Sequence, residues 1–296
     1  QMARVEGIRA FGALDVFARQ HRCQIVFSTA TLPPLDTALQ TEAVPIAPSA
    51  PSLHRYDIEY QATGFSLLDL NERVKTIVDE CPNVAIVLNT VRDAYLVFKA
   101  ARQILDLGVK VYCLTAMMLP GHKHRTIREI RKHLKQQRDG KTDQKLVVVC
   151  TQILEAGVNL SFRAILRARS IFPSIAQVAG RANRHNEGEP ARVYVFPFKS
   201  DGDKELRQYV YRDATARGMT DRVFEQTPLI AETRVAARLE EYFADCWQQN
   251  SQSALLRCFE EAALGEWSCL ANLEPFGFSP PQEEVFVPVA ISKIDK

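Results

Sequence analysis

From about residue 65 to 198 the chain alternates apolar strand patterns with amphipathic helix patterns, and this alternation restricts the possible folds more than any other feature. Strands joined by helical crossovers pair in parallel, so the pattern predicts an α/β fold with a parallel sheet covered by helices. The predicted helices are 66–80, 91–107, 123–137 and 173–184, and the predicted strands are 84–89, 109–114, 145–150, 164–166 and 192–196.

Polar side chains follow three of these strands at the point where each ends. Asn89 ends the first and Thr90 follows it, Thr115 follows the second, and Thr151 with Gln152 follows the third. Open parallel sheets bind ligands at the carboxyl ends of their strands, so these residues predict a binding edge. Asn89 or Thr90 could equally cap the helix that follows, and the two roles can coexist.

The segment QVAGRANR at 177–184 fits the pattern Q-x-x-G-R-x-x-R. On a helix, Gln177, Arg181 and Arg184 would share one face, because their spacings are four and three residues. Guanidinium groups suit phosphate oxygens, and Gly180 would let a phosphate or a partner backbone approach closely. Arg181 or Arg184 is therefore a candidate arginine finger for phosphoryl transfer. The alternative is an amphipathic surface helix with solvated arginines.

Two other segments carry hydroxyl groups beside predicted strands. Residues 151–159 contain Thr151, Gly157 and Asn159, which could bind a phosphate on one side of the loop and a nucleotide on the other. The alternative is an ordinary strand-to-helix loop. Ser28, Thr29 and Thr31 follow a predicted strand at 23–27 and could relay hydrogen bonds between two ligand sites. Read alone, they also fit an ordinary Ser/Thr turn.

Charge is concentrated in one part of the chain. The formal net charge is +2, yet residues 121–145 carry nine Lys/Arg against three Asp/Glu. Such a patch is the footprint expected of contacts to a phosphate backbone, and a solvated basic helix is the alternative.

Composition narrows the class of protein. The chain is 46% apolar and 24% charged, with no apolar run near the ~18 residues of a membrane span. We therefore expect a cytoplasmic protein without a membrane partner.

Seven cysteines without a C-x-x-C motif predict neither disulfides nor zinc, and Cys23, Cys113 and Cys150 are expected to be reduced core thiols. His122 and His124 flank a lysine without further ligands, so no metal site is expected.

The chain ends follow other patterns. Residues 4–20 predict an amphipathic helix, and five of the fifteen prolines fall between Pro33 and Pro51, which predicts a linker. After about residue 200 the alternation stops, and helices at 227–249 and 253–263 with a possible strand at 285–291 predict a small, mainly helical appendage.

Two segments resemble nucleotide-binding motifs but lack a feature that each motif requires. Gly140-Lys141-Thr142 resembles the end of a phosphate-binding loop, but Lys135 occupies the position of the required earlier glycine. Asp79-Glu80 resembles an acidic magnesium motif, but it ends a helical pattern. We therefore interpret the first as a turn and the second as a helix end, and expect this chain alone to be inactive in ATP hydrolysis.

Four segments together resemble superfamily 2 helicases in residues, order and spacing: STATLP at 28–33, AIVLNTVRDA at 85–94, VVVCTQILEAGVNLSF at 147–162 and QVAGRANRH at 177–185. Within that superfamily, NTVRDA, LTAMMLPGHKHR at 114–125 and SFRAILRARS at 161–170 resemble the helicase-nuclease of type I CRISPR interference. The resemblance covers residues 1–198 well and the remainder only in general layout.

The resemblance implies a division of the chain into four parts. Residues 1–32 would be the tail of a first RecA-like domain, 33–57 a linker, 58–198 a second RecA-like domain, and 199–296 a linker helix with an accessory domain. It also implies that the chain is the C-terminal portion of a larger enzyme, whose phosphate loop, acidic box and nuclease domain lie upstream; a first residue Gln1 agrees with this expectation.

The resemblance further implies roles for individual residues. Arg181 and Arg184 would contact the ATP phosphates, and Gln177 would help arrange that site. Gly157, Asn159 and Gly180 would shape the nucleotide site. The DNA backbone would be held by Thr90, His122, Arg125 and Thr151, and the two sites would be coupled by Ser28, Thr29 and Thr31.

The implied activity is ATP-driven translocation, 3′ to 5′, along single-stranded DNA in type I interference. The implied cofactor is ATP with Mg²⁺, whose ligands would lie upstream, and the implied partners are the upstream RecA-like and HD nuclease domains and an RNA-guided surveillance complex. Two residues depart from the family pattern: Asn159 replaces a common aspartate, and Arg163 stands where an acidic residue is frequent.

Two other functions remain open from the sequence. One is a different DExH helicase or remodelling ATPase, which other upstream modules would reveal. The second is a nucleic-acid or protein-binding module that never acts as a motor, which salt-sensitive DNA binding without ATPase activity would favour.

Overall fold

A computed structural model describes residues 14–26, 44, 53–155, 158–201, 204–250, 261, 264–266 and 268. Two compact units are present, one formed mainly by Ser52–Val235 and the other by Gln1–Pro51 with Ala236–Pro288. The first unit contains the sheet. In the second unit, residues 14–21 are helical.

The sheet has seven strands in the order β3-β4-β2-β5-β6-β1-β9. Six of them are parallel, and β9 pairs with β1 in the antiparallel sense at one edge. The strands are β1 Tyr56–Tyr60, β2 Asn83–Val87, β3 Lys110–Leu114, β4 Leu146–Cys150, β5 Ala164–Ala168, β6 Ala191–Phe196 and β9 Leu229–Ala231, and a separate hairpin consists of β7 Lys199–Asp201 and β8 Lys204–Glu205.

Helices connect the strands as the alternation predicted. They are α1 Leu67–Glu80, α2 Val91–Ile104, α3 Pro120–Arg138, α4 Phe172–Ala179, α5 Arg207–Val210, α6 Ala214–Gln226 and α7 Glu232–Asn250. The predicted α/β fold, a largely parallel sheet flanked by helices, is confirmed. None of the helices in the described ranges combines the length and apolar content that a bilayer crossing requires.

The core lies between the central strands and the helices that cover them. Every residue of β2, β4 and β5 is buried, because helices cover both faces of a parallel sheet. Leu70, Val74 and Ile77 of α1 pack in the same apolar cluster as Val84 and Ile86 of β2.

The predicted arginine helix 173–184 is too long. Helix α4 ends at Ala179, with Gly180 as its C-cap, and Asn183 adopts a left-handed backbone with a φ of 41°. The helix stops because the next residues pair with another segment: Arg181 O accepts from Phe162 N, and Asn183 N donates to Phe162 O. The prediction that Gln177, Arg181 and Arg184 share a helix face is therefore wrong.

The sheet also extends beyond the predicted range 58–198 at both ends. Strand β1 begins at Tyr56, inside the predicted linker 33–57. The predicted helix 227–249 begins only at Glu232, because residues 229–231 pair with β1 as β9, and α6 precedes them. These pairings join residues far apart in the chain, which a local pattern does not reveal.

The predicted strand 23–27 is not formed at 23–26, since no described segment pairs with these residues; Phe27 lies outside the described residues. Cys23 is exposed and Cys113 half-buried, so of the three thiols expected in the core only Cys150 is fully buried. Residues 4–13 of the first predicted helix, most of 253–263 and all of 285–291 also lie outside the described residues.

Candidate nucleotide and nucleic-acid sites

The two candidate arginines lie in a turn beyond α4 that is fixed by backbone pairing. The turn runs beside the residues that precede β5, where Phe162 forms a parallel bridge with Ala182. The Arg184 amide donates to Ser161 Oγ at 3.0 Å. Both ends of the turn are therefore anchored to the same neighbouring segment, which holds the two arginine backbones in place.

Arg181 is half-buried, and its guanidinium group contacts the segment that follows β4. Its Nη2 donates to the carbonyl oxygen of Glu155 at 2.9 Å. Burial lowers the pKa of Arg181, and the nearby charge of Arg184 lowers it further. Two guanidinium groups thus lie close enough to repel each other, an arrangement that a bound anion would stabilise.

Arg184 is exposed, and its guanidinium group has no hydrogen bond or ion pair with any residue that the structure describes. Gln177 lies half-buried in the last turn of α4. A methyl group at Gly180 would lie 3.5 Å from the Gln177 carbonyl oxygen, an ordinary contact, so folding alone does not require glycine there.

Asn159 is exposed at the opposite edge of the sheet from the strand carboxyl ends. It lines a surface cleft of about 640 Å³ with Asn183 and His185, and the other walls come from α3 and from residues that precede β2 and β4. Gly157, predicted with Asn159 in the nucleotide loop, lies outside the described residues, as do Ser28, Thr29 and Thr31.

The predicted DNA-binding residues gather at the carboxyl ends of β3, β4 and β2, which are adjacent in the sheet. Thr90 caps α2, and its Oγ1 accepts from Asp93 N at 3.0 Å. Thr151 follows β4 but is only 3% exposed. His122 is exposed and Arg125 half-buried in the first turns of α3, which contain no acidic residue.

The structure therefore divides the predicted residues between two places. The threonines and the start of α3 lie at the carboxyl edge, whereas the arginine turn and Asn159 lie beside the segment that enters β5. Helix α4 and residues 151–163 connect the two places, because both run from the carboxyl end of one strand to the amino end of another.

A buried arginine that the sequence analysis did not single out lies between these places. Arg167 in β5 is 0% exposed. Its Nη1 donates to Asn89 Oδ1 at 2.9 Å, and its Nη2 donates to Ser174 Oγ at 3.0 Å and to Tyr211 Oη at 2.8 Å. Arginine within the apolar strand AILRA was the available signal, because a buried charge requires partners.

Glu155 completes this network and connects it to the arginine turn. Its carboxylate accepts from Arg167 Nη2 at 3.3 Å and from Ser174 Oγ at 2.7 Å, while its carbonyl accepts from Arg181. Burial raises the pKa of Glu155, and Arg167 and Ser174 oppose that rise. One residue thus contacts both the buried arginine and the candidate nucleotide arginine.

Arg163, which departs from the family pattern, has a structural role. Its guanidinium group donates to the carbonyl oxygens of Glu187 at 2.6 Å and Glu189 at 2.8 Å. A cation here satisfies carbonyls that an acidic side chain would repel.

Both rejected nucleotide motifs have the structures predicted for them. Gly140 lies in a turn after α3 with a φ of 66°, and Asp79-Glu80 ends α1.

Residues 81–187 match the family model described as CRISPR-associated nuclease/helicase Cas3, C-terminal. A curated relative, the CRISPR-associated nuclease/helicase Cas3 of Methanothermobacter thermautotrophicus, is 28% identical over 181 residues, which cover 56% of this chain. The chain spans only 20% of the length of that relative.

Solved structures share the fold. The crystal structure of T. fusca Cas3-ATP matches with a TM-score of 0.57 and 16% identity, over 78% of this chain and 28% of that chain. A chain of a CRISPR RNA-guided surveillance complex, pre-nicking, matches with a TM-score of 0.53 and 15% identity, over 77% of this chain and 29% of that chain. The resemblance predicted from the motifs is confirmed: this chain is similar to the C-terminal portion of Cas3-like superfamily 2 helicases.

Proposed function

We propose that this chain is the C-terminal motor portion of an ATP-dependent translocase. The enzyme would move 3′ to 5′ along single-stranded DNA and feed target DNA for degradation in type I CRISPR interference. In this proposal residues 1–32 belong to a first RecA-like domain and 33–57 form a linker. The second RecA-like domain is extended from 58–198 to include β1 and β9, and an accessory region follows.

The arginine turn is the observation that carries the proposal. Arg181 and Arg184 lie close together, neither pairs with a carboxylate among the described residues, and the turn that holds them is anchored at both ends. Two such cations stabilise the negative charge that builds up on phosphoryl oxygens during transfer. The name of a solved structural neighbour, Cas3-ATP, agrees with a nucleotide as the ligand.

ATP with Mg²⁺ would supply the reactive phosphate and its counterion, and the magnesium ligands are expected upstream. This chain would contribute Arg181 and Arg184 at the phosphates, with Gln177, Gly157, Asn159 and Gly180 arranging the nucleotide around them. The Arg181 bond to the Glu155 carbonyl orients the guanidinium group before the nucleotide arrives.

The carboxyl edge would hold DNA through backbone contacts. Arg125 supplies charge and His122 an imidazole ring at the start of α3, and Thr90 supplies a hydroxyl after β2. Thr151 is buried in the described structure, so its contact with DNA would require a small opening of this edge. ATP closing the two RecA-like domains and hydrolysis releasing them would move these contacts along the strand.

The proposed partners are single-stranded DNA, the upstream RecA-like and HD nuclease domains, and an RNA-guided surveillance complex. The solved surveillance-complex chain that shares this fold supports the last of these. Ser28, Thr29 and Thr31 would couple the nucleotide and DNA sites across the two domains.

The test is ATP hydrolysis with and without single-stranded DNA, for this chain alone and after addition of the upstream portion of its gene product. The proposal predicts DNA-stimulated hydrolysis only in the complemented sample. DNA binding without hydrolysis in any sample would instead support the non-catalytic binding module, for which the basic helix α3 is the supporting feature.

A further inference from the structure

The outward face of helix α2 combines an exposed aromatic ring with exposed cations. The side chain of Tyr95 is 56% exposed in the second turn of this helix. Three cations are exposed on the same face, at spacings of three, four and seven residues from that ring: Arg92, Lys99 and Arg102. Helix α2 is described throughout, and its one carboxylate, that of Asp93, is buried. The face therefore presents a ring among positive charges.

Two of these cations lie beside aromatic rings and have no carboxylate partner. Lys99 Nζ lies 6.0 Å from the centroid of the Tyr95 ring, and Arg102 Cζ lies 5.7 Å from that of Phe98. Neither Lys99 nor Arg102 forms an ion pair with a residue that the structure describes. Both therefore keep N–H groups that can donate to phosphate oxygens.

The neighbouring helix α1 does not pair with this face through its carboxylates. Side chains of α1 and α2 share one apolar cluster, so the two helices pack side by side. Among the exposed carboxylates in the first half of α1, Asp69 accepts from Ser66 Oγ at 2.6 Å, and Glu72 pairs with Lys75 at 3.0 Å. Neither contacts Lys99.

Tyr95 lies next to the proposed DNA edge. Thr90 caps the same helix, and Val91 in its first turn is exposed. Helical side chains tilt toward the N-terminus of their helix, so the Tyr95 ring covers the first turn, about 5 Å along the axis from its own position. A strand whose phosphate contacts Thr90 would therefore have a base within reach of the ring.

Other exposed apolar side chains lie at this edge. Met117 and Leu119 are exposed in the segment between β3 and α3, which begins at the carboxyl end of β3. Exposed apolar groups with a polar rim are typical of interaction sites. A ligand for this edge therefore needs apolar faces as well as negative charge, and single-stranded DNA has both.

We propose that Tyr95 stacks on a base of the single-stranded DNA whose backbone Thr90 contacts. Aromatic rings beside cations bind single strands, because every base has a π face and every nucleotide a phosphate. Lys99 supplies the charge beside the ring. Stacking tolerates any base, which suits a translocase that passes along arbitrary sequence. The inference rests on the proposed function for its ligand, single-stranded DNA.

The experiment measures the DNA affinity of this chain, combined with the upstream portion of its gene product, by fluorescence anisotropy over a series of salt concentrations. Tyr95→Ala removes the ring, Tyr95→Phe keeps it, and Tyr209→Ala is the matched control. Tyr209 is likewise exposed, by 66%, on the short helix α5. The two ligands are oligo-dT and a strand of equal length without bases.

The ring contact predicts a loss that depends on the bases. Tyr95→Ala should weaken oligo-dT binding about fivefold or more and leave binding of the base-free strand within about twofold of wild type. The salt slope should stay the same, because stacking releases no counterions. Tyr95→Phe and Tyr209→Ala should bind both strands as wild type does. Alanine is a good helix former, and thermal melting verifies that each variant folds.

Equal oligo-dT affinity of wild type and Tyr95→Ala would overturn the proposal, as would an equal loss on both strands or in the Tyr209→Ala control. Weaker association of Tyr95→Ala with the upstream portion, at unchanged DNA affinity, would assign the ring to a protein contact and also overturn it. A wild type that binds neither strand would reject both the stacking and the proposed function. Oligo-dT binding that depends on Tyr95, without DNA-stimulated ATP hydrolysis, would keep the stacking and reject the motor.

Discussion

At the scale of single residues, the buried Arg167 and its half-buried partner Glu155 are expected to contribute to stability. Arg167 contacts Asn89 at the carboxyl edge, and Glu155 contacts Arg181 in the arginine turn, so the pair joins the two candidate sites. Its partners come from four separate chain segments. Such a contact set has no local signature, and only the presence of arginine in an apolar strand indicates it.

Replacing Arg167 with methionine should leave the half-buried Glu155 carboxylate without its cation. We expect the free energy of unfolding, measured with urea, to fall by about 3–5 kcal/mol. The matched control is Arg222→Met on the exposed surface of α6, where a change of less than about 0.5 kcal/mol is expected. An Arg167→Met loss no larger than that of the control would contradict the described contacts of Arg167.

The raised pKa of Glu155 predicts that its contribution to the free energy of unfolding decreases as the pH rises. A carboxyl whose pKa is raised by folding stabilises the fold most below its unfolded pKa, and this contribution is lost as the pH rises through the folded value. The unfolding free energy of wild type minus that of Glu155→Gln should therefore decrease as the pH rises from about 4 toward 7. A difference that increases with pH would indicate a lowered pKa instead.

At the scale of elements, buried strands were predicted well and pairings between distant segments were not. β2 and β4 were located to within two residues, because a short apolar run between two amphipathic helices is typical of a buried parallel strand. The end of α4 was missed because Phe162 competes for the backbone of Arg181 to Asn183. β9 was missed because three residues carry little pattern without their partner β1.

The two glycines that flank helices α3 and α4 should respond differently to alanine. Gly140 has a φ of 66°, where a side chain costs about 1–2 kcal/mol, so Gly140→Ala should lower the free energy of unfolding by that amount. Gly180 has a φ of −62° and room for a methyl group, so Gly180→Ala should not destabilise the chain. Both values are measured by urea denaturation.

A loss of more than about 1 kcal/mol in Gly180→Ala would contradict the described end of α4. If stability is kept but the complemented enzyme binds ATP more weakly, glycine is needed for the approach of phosphate, as the sequence pattern predicted.

At the scale of the whole molecule, the candidate residues lie at two edges of the sheet, and α4 connects these edges. The order of its motifs could be predicted from the sequence, as could the fold and the resemblance to Cas3-like helicases. The separation of the arginine turn from the threonine edge could not, since it depends on the length of α4 and on the Phe162 pairing. The candidate roles of individual residues remain predictions.

The most direct test of the central claim is the ATPase rate of the complemented enzyme with Arg184→Ala, compared with wild type and with the control Arg222→Ala. If Arg184 contacts the transferred phosphate, DNA-stimulated turnover should fall by about 10³-fold or more, while DNA affinity stays within about twofold and Arg222→Ala behaves as wild type. Turnover by Arg184→Ala at the wild-type rate would contradict the claim and remove Arg184 from the nucleotide site.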